Sequence, residues 1–286
     1  MSYVAVMLLL SSAFLHATWN FLSKRAGGGI AFVWLFTAIG TVIYTPIVCV
    51  FLLFNPYTGE TINLIYVVGS ILLHLLYFVI LQKGYTKSDF SLIYPVARGL
   101  GPMLVTMMAI LLFNERPSLA VFIGTAIIVG SVFFLTGGIT IFNDNRALSA
   151  IRYGFMLGMI IAGYTLWDKY VVSYLFIAPL LLDYLTTLGR LIMLTPVAFR
   201  SWTDICDEWK THRREAIGVG ILNSLAYILV LSAMVLAPIS YVAPIRELSI
   251  LIGTIFGIYF LKEGYGWQRI IAASTIVVGV AVIITG

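Results

Sequence analysis

A chain of 286 residues that is 61% hydrophobic and only 10% charged lacks the polar surface that a water-soluble fold of that size requires, so its solvent is lipid. The formal charge of +5 does not point to nucleic acid, because the lysines and arginines stand at the ends of hydrophobic runs rather than on one soluble face. The two cysteines, Cys49 inside a hydrophobic run and Cys206 in a polar connection, suggest no disulfide framework.

A hydrocarbon core of about 30 Å takes roughly 20 helical residues to cross. In chain order the predicted spans are 3–23, 30–54, 62–82, 90–112, 118–137, 151–170, 174–199, 216–236, 239–261 and 267–285, ten in all. Met1 to Tyr3 carry no basic segment of a cleaved signal, so the first run is expected to stay as a membrane helix. The runs are apolar all round rather than alternating, which selects helices over barrel strands. The fold class read from this pattern is all-α, a polytopic membrane protein of ten transmembrane helices. Connections are short except for two polar ones, Gly138 to Ala150 and Arg200 to Glu215, and no soluble domain fits between the spans.

Of the seventeen basic residues, twelve flank odd-numbered connections: Lys24, Arg25, Lys83, Lys87, Arg146, Arg152, Arg200, Lys210, Arg213, Arg214, Lys262 and Arg269. Only two, Arg116 and Lys169, flank even ones, and three, Arg98, Arg190 and Arg246, fall inside spans. By the positive-inside rule the odd connections are cytoplasmic and both termini face outward, as expected for a multi-pass protein of a bacterial-type inner membrane.

The chain repeats itself. SLIYPVARGLGPMLVTMMAILLFNERPS, running on to LTGG, parallels SYVAPIRELSILIGTIFGIYFLKEGYG, running on to ITG. Arg98 lies seventeen residues before Glu115, and Arg246 lies seventeen before Glu263. A glycine (Gly130, Gly279) and a closing Thr-Gly pair (Thr136 and Gly137, Thr285 and Gly286) follow in both. A second echo sets WNFLSK at Trp19 to Lys24 against YTLWDK at Tyr164 to Lys169. The repeats are read as residues 1–140 and 146–286. Five spans per repeat is an odd number, so the second copy is inverted relative to the first. Inverted repeats suit alternating access, with the substrate site near the midplane between the halves.

These segments carry a resemblance. HATWNFLSK at His16, AGYTLWDKY at Ala162, YPVARGLGP at Tyr94, APIRELS at Ala243 and the two glutamates followed by glycine-bearing helices resemble the ten-helix EamA-type branch of the drug/metabolite transporter superfamily, over essentially the whole chain. The His-Ala-x-Trp-Asn and Tyr-Pro-x-Ala-Arg stretches look like a subgroup some of whose members are associated with phosphonate utilisation genes. The resemblance implies a secondary carrier or exporter of amino acids, metabolites or related amphiphiles. It does not carry a substrate with it.

The physics of charge in lipid singles out the same places. An ionised side chain at bilayer centre costs about 2.5 to 3.5 kcal/mol even on permissive scales, so it faces a cavity or a partner. Arg98, Arg246 and Glu247 are read as substrate-binding: the arginines offer planar donor forks to a carboxylate, phosphate or phosphonate, and Glu247 receives an amine or a coupling proton. The competing reading satisfies Arg246 and Glu247 on neighbouring helices and uses Arg98 to cap carbonyls freed by Pro95 and Pro102. As helical neighbours, Arg246 and Glu247 stand about 100° apart and are not both expected to point into one cavity.

His16, Trp19 and Asn20, which share a face of the first helix, and Tyr94, Tyr164 and Tyr241 are the further substrate-binding candidates; Tyr77, Trp167 and Tyr227 also supply aromatic surface. For any one of these aromatics packing or an interfacial belt is the stronger reading, and His16 taken alone is read as an interhelical donor before a proton relay. Asp183 and Arg190, seven apart, project from nearly one face of helix seven. They are candidates for coupling or gating, or form a structural pair. Asp168 is a third such candidate, set against a plain interfacial charge pair with Lys169. Glu115 and Glu263 are read as structural, and His74 is left without a role.

No Gly-x-x-x-x-Gly-Lys-Ser/Thr loop, His-Glu-x-x-His, Cys/His cluster or Gly-x-Ser-x-Gly elbow occurs, so no nucleotide hydrolysis, metal, cofactor or enzyme activity is expected. The expected partners are the lipid bilayer and a small anionic or zwitterionic solute, such as an amino acid or aminophosphonate, with a proton as coupling ion. A lipid or isoprenoid-phosphate translocase is the nearer alternative, and a membrane-embedded enzyme on a lipid headgroup the remoter one. A channel is disfavoured, because no selectivity-filter-like segment is present.

The charge bias makes the topology testable. A reporter active only in the cytoplasm should be silent when fused after Gly286 and active within the Arg200 to Glu215 connection. The opposite pattern would overturn the orientation.

Overall fold

In the computed structural model the apolar runs form α1 (Tyr3–Arg25), α2 (Ile30–Phe54), α3 (Asn63–Lys87), α4 (Phe90–Phe113), α5 (Leu119–Leu135), α6 (Asn145–Ser173), α7 (Pro179–Phe199), α8 (Trp202–Leu236), α9 (Ile239–Ile245), α10 (Leu248–Leu261) and α11 (Trp267–Thr285). The structure describes residues 1–26, 29–57, 63–87, 90–135, 145–261 and 267–286, and no strand occurs among them. Glu263 and the Thr136–Gly137 pair lie outside the described residues. Because α9 and α10 are two pieces of the ninth span, the eleven elements make ten helical layers.

Large apolar side chains such as Leu53, Phe54, Leu119 and Phe176 stand exposed, an exterior that is stable only against lipid. By length and composition α1, α2, α7 and α8 are each sufficient to cross a membrane. The repeat is visible in which helices touch. α1 packs on α8 and on the α9–α10 span, and α6 packs on α3 and α4 in the corresponding way. α2 meets α8 as α7 meets α3, while α2 with α7, α4 with α9 and α5 with α11 pair each helix with its own counterpart. Exchanging the halves therefore preserves these pairings.

Two of these contacts are backbone to backbone. A Cβ added at Gly40 would lie 2.9 Å from the carbonyl oxygen of Gly220, and one at Gly220 would lie 2.8 Å from that of Phe36. Likewise Gly124 and Gly279 admit no side chain at the crossing of α5 and α11. Small residues at such crossings let dispersion and close backbone approach hold helices together where no hydrophobic effect operates.

Two expected outlines need correction. The polar stretch after Arg200, read as a connection, is helical: it forms the first part of α8, bent at His212 (φ −124°, ψ 28°). Its apolar residues Trp202, Ile205, Cys206 and Trp209 recur at helical spacing. Ile205 is buried, and Trp202 stacks on Phe199 with ring centroids 5.2 Å apart. Asp207 and Lys210 pair on the opposite, exposed side, the pattern of a helix lying in the interface. The ninth span, expected as one helix, breaks at Arg246 and Glu247. There Glu247 N–H bonds to Pro244 O, Ser249 N–H to Arg246 O and Ile250 N–H to Glu247 O, three-residue turns in place of the α-helical ladder. Pro244, inside α9, removes one of the donors that would have continued it.

α9 is anchored by an acid from the other half. Asn114 takes the left-handed conformation (φ 50°) just past the end of α4, and the turn carries Glu115 under the start of α9. Its Oε1 accepts from Ile239 N–H at 2.7 Å, and its Oε2 from Ser240 N–H at 3.0 Å and Ser240 Oγ at 2.5 Å. A carboxylate here meets otherwise unpaired amides at the positive end of the helix dipole. Glu115→Ala should cost about 0.5–2 kcal/mol, the range for lost helix caps, read as a lower melting temperature of the solubilised protein. An unchanged melting point would show that α9 does not depend on this cap.

Candidate functional site

The break in the ninth span puts Glu247 where a continuous helix would not. Arg98 of α4 donates from Nη1 to Glu247 Oε1 at 3.2 Å, and from Nη2 to His16 Nε2 of α1 at 2.7 Å. Arginine has no acceptor, so His16 Nε2 is the bare nitrogen and His16 is neutral while this bond is made. Glu247 is 4% exposed. Its Oε2 is buried and finds no hydrogen-bond partner among the described residues. Arg246, one residue earlier, turns the other way and sets its guanidinium over the Tyr227 ring, 5.9 Å from the centroid, a cation–π contact. Both arginines lie within electrostatic reach of His16, Tyr164 and Glu247. The expectation that Arg246 and Glu247 diverge holds, but through the break, which lets both act in one region.

A second cluster adjoins the first through Tyr227. Asp168 of α6, fully buried, accepts from Ser70 Oγ at 2.5 Å on Oδ1, and from Tyr227 at 2.5 Å and His74 Nε2 at 2.9 Å on Oδ2. The His74 ring faces Tyr164 with centroids 4.4 Å apart and meets Tyr227 edge-on at 5.4 Å. Asp168 is therefore not an interfacial partner of Lys169. Consecutive positions on α6 point about 100° apart. Lys169 reaches instead to the carbonyls of Met234 and Ala237, capping the negative end of α8.

A third group lies on α7. Asp183 is buried, and Ser224 of α8 lies within reach of its carboxyl group. Arg190 lies within its electrostatic reach, and the Nε of Arg190 is buried without a partner among the described residues. Asp183 also acts on Asp168, so polar groups continue from the second cluster toward α7.

The remaining sequence candidates divide. Trp19 packs edge-on to His16 at 4.9 Å, its indole N–H buried and unpartnered among the described residues. Tyr164 joins both clusters. Asn20, by contrast, donates to the backbone oxygen of His16 at 2.7 Å, a local helix bond rather than a group presented to the arginines. The Tyr241 hydroxyl accepts from Ser118 N–H at 3.4 Å, which ties it to the connection between α4 and α5. The side chain of Tyr94 lies outside the described residues. Sequence reasoning left out Ser70 and Ser224 and gave His74 no role; an ionisable residue in mid-span is itself the signal that marks His74. Among the described residues no group of three or more His, Cys, Asp or Glu is placed to hold a metal.

The profile of the EamA-like transporter family matches residues 3–137 and again 148–285. Among curated proteins no sequence matches this chain. A solved crystal structure superimposes with a TM-score of 0.75 at 14% sequence identity, covering 98% of each chain, a likeness of fold.

The ion pair across the halves predicts non-additivity. Arg98→Leu and Glu247→Leu should each cost about 3–5 kcal/mol by stranding the other charge, and the double variant less than their sum. Unfolding of the purified protein in denaturing detergent reads this, and strictly additive losses would show the two groups to be uncoupled.

Proposed function

The chain belongs to the EamA-like transporter family, a family of membrane transporters of small molecules, and from that premise we propose that it is a secondary carrier, working as an exporter or exchanger of a small anionic or zwitterionic metabolite such as an amino acid or aminophosphonate. The carrier sits in the inner membrane with both termini outward and consists of an inverted pair of repeats, 1–140 and 146–286, that alternate access to a central site. The observation that carries this reading is the contact between halves: Arg98 of the first bonded to Glu247 of the second, at a helix break, with Arg246 alongside.

Such a site suits an acid group. The substrate's carboxylate, phosphate or phosphonate takes the fork of Arg98 in place of Glu247 Oε1 and gains the field of Arg246. The glutamate so released receives an amine, where the substrate has one. Because the bridge joins the halves, the exchange of partners is linked to their relative movement, as alternating access requires.

A thermal-shift screen of the purified protein with amino acids, aminophosphonates and phosphorylated metabolites, followed by flux in liposomes, tests the class. A ligand at about 100 times its dissociation constant stabilises by roughly 2.7 kcal/mol. Arg98→Lys and Arg246→Lys keep the charge but lose the fork, so each should sharply weaken flux while the protein inserts and stays monodisperse. Full transport by the double lysine variant would move the substrate site to the face around Trp19 and Tyr164.

A further inference from the structure

We propose that His74, oriented by Asp168, is the coupling-proton site of this carrier; this rests on the transporter reading and assigns the proton to a residue outside the Arg98–Glu247 pair. Three observations carry it. Asp168 takes three donors on its two oxygens, from Ser70, Tyr227 and His74. A carboxyl that carried the proton itself would become a donor and lose one of these contacts. The carboxylate is sealed from solvent, while the His74 side chain keeps 16% exposure, so the imidazole is the member of the pair that a proton reaches. Donation from Nε2 to Asp168 selects one tautomer and leaves Nδ1 as the nitrogen that gains the proton.

The competing groups are already engaged. His16 accepts the Arg98 donor through Nε2, and protonating it would set two donors against each other. In the empty carrier Glu247 is the counter-ion of Arg98, and neutralising it there would strand that arginine. The groups around His74 are Ser70 and Tyr77 on its own helix, Asp168 and Tyr164 on α6, and Tyr227 on α8. At longer range stand Arg98 of α4, Arg246 and Glu247 at the break, all acting on Tyr164, and Asp183 and Arg190 of α7 behind Asp168.

Charge balance supplies the coupling. Among the described groups of the two clusters, Arg98 and Arg246 are offset by Glu247 and Asp168, and His16 carries no charge while it accepts from Arg98. A monoanion entering this low-dielectric region leaves one negative charge uncompensated, and a proton on His74 cancels it. A cation there lies over the face of Tyr164 and on the same tyrosine, Tyr227, that Arg246 covers. It thus reinforces the field that attracts the anion. By linkage, anion binding strengthens proton binding by the same factor. A substrate anion and a proton then cross together.

The proton site is testable without any substrate. Full-length protein in liposomes on a solid-supported membrane, given a pH jump from neutral to mildly acidic in plain buffer, should show a transient displacement current as the buried site charges. His74→Gln, which keeps a donor toward Asp168 but does not titrate, should lose the transient, and His212→Gln in the interfacial helix should keep it. No transient in the wild-type protein, or a full one in a folded His74→Gln chain, would overturn the proposal. So would loss of the transient in Glu247→Gln with His74 intact. If His74→Gln does not fold, 15N-histidine spectra of a His16→Gln, His212→Gln chain leave His74 as the single signal. Gain of a proton at Nδ1 over the same interval supports the assignment, and a ring that never changes state rejects it. A transient that depends on His74 in a chain that moves no screened solute would sustain the proton site and count against the transport reading alone.

Discussion

The structure depends on how charge is kept inside a bundle whose exterior is lipid. Each buried ion needs a partner that lipid does not supply, and in this chain the decisive pair spans the repeats: Arg98 in α4 and Glu247 between α9 and α10. The partner is available because the ninth span gives up its helical ladder for one turn. Irregular backbone at membrane depth is tolerated where it is enclosed by protein, and α1 and α4 enclose it here. The break is thus part of the ion pair's geometry. An unbroken helix would carry Glu247 and Arg246 about 100° apart on one rigid rod.

The charged residues fall into two kinds, and the distinction separates framework from site. Glu115 at the start of α9 and Lys169 at the end of α8 each meet helix-terminal groups of the sign they complement, and nothing about them invites a ligand. At the centre the valences are incomplete. Glu247 Oε2 and the Trp19 indole N–H are buried and unpartnered among the described residues. Among the described residues, buried unpartnered groups also occur at Ser23, Ser118, Thr125, Thr165 and Arg190, but Glu247 and Trp19 stand beside the Arg98 contacts, where the proposed mechanism brings in a solute with groups to complete them.

Much of this was legible in the chain. The spans follow from run length, the repeat from the equal spacing of Arg98 to Glu115 and Arg246 to Glu263, and the structural role of Glu115 from its place at a helix end. What was not legible depends on distant partners. Ser70 and Tyr227 lie 98 and 59 residues from Asp168, so the adjacent Lys169 offered itself as the pair when the fold sends the two in different directions. The amphipathic start of α8 was readable from Trp202, Ile205 and Trp209, but its density of charged residues concealed the period. The break at Arg246 had a signal in Pro244, although prolines also sit inside the unbroken α2 and α7, and the contact of Glu247 with Arg98 is one the sequence does not display.

The repeat is most informative where it fails. Arg98 and Arg246 correspond, yet the register that aligns them sets Gly99 against Glu247, so only the second repeat carries a carboxylate at this place. Their surroundings differ accordingly: Arg98 is held by Glu247 and His16, Arg246 by the face of Tyr227. The same asymmetry places Asp168 opposite Ser23 in the aligned segments of α6 and α1. With the acids of the two central clusters, Asp168 and Glu247, in the second half only, a carrier that alternates by exchanging the roles of its repeats does not pass between mirror-equivalent states. Separating Arg98 from Glu247 exposes a cation on one side and an anion on the other. The state that breaks this pair therefore differs in energy from the state that keeps it, unless a substrate's acid group satisfies the arginine. Under the proposed mechanism that difference disfavours return of the empty carrier relative to the loaded one, and a tendency to exchange solutes follows from the position of a single glutamate.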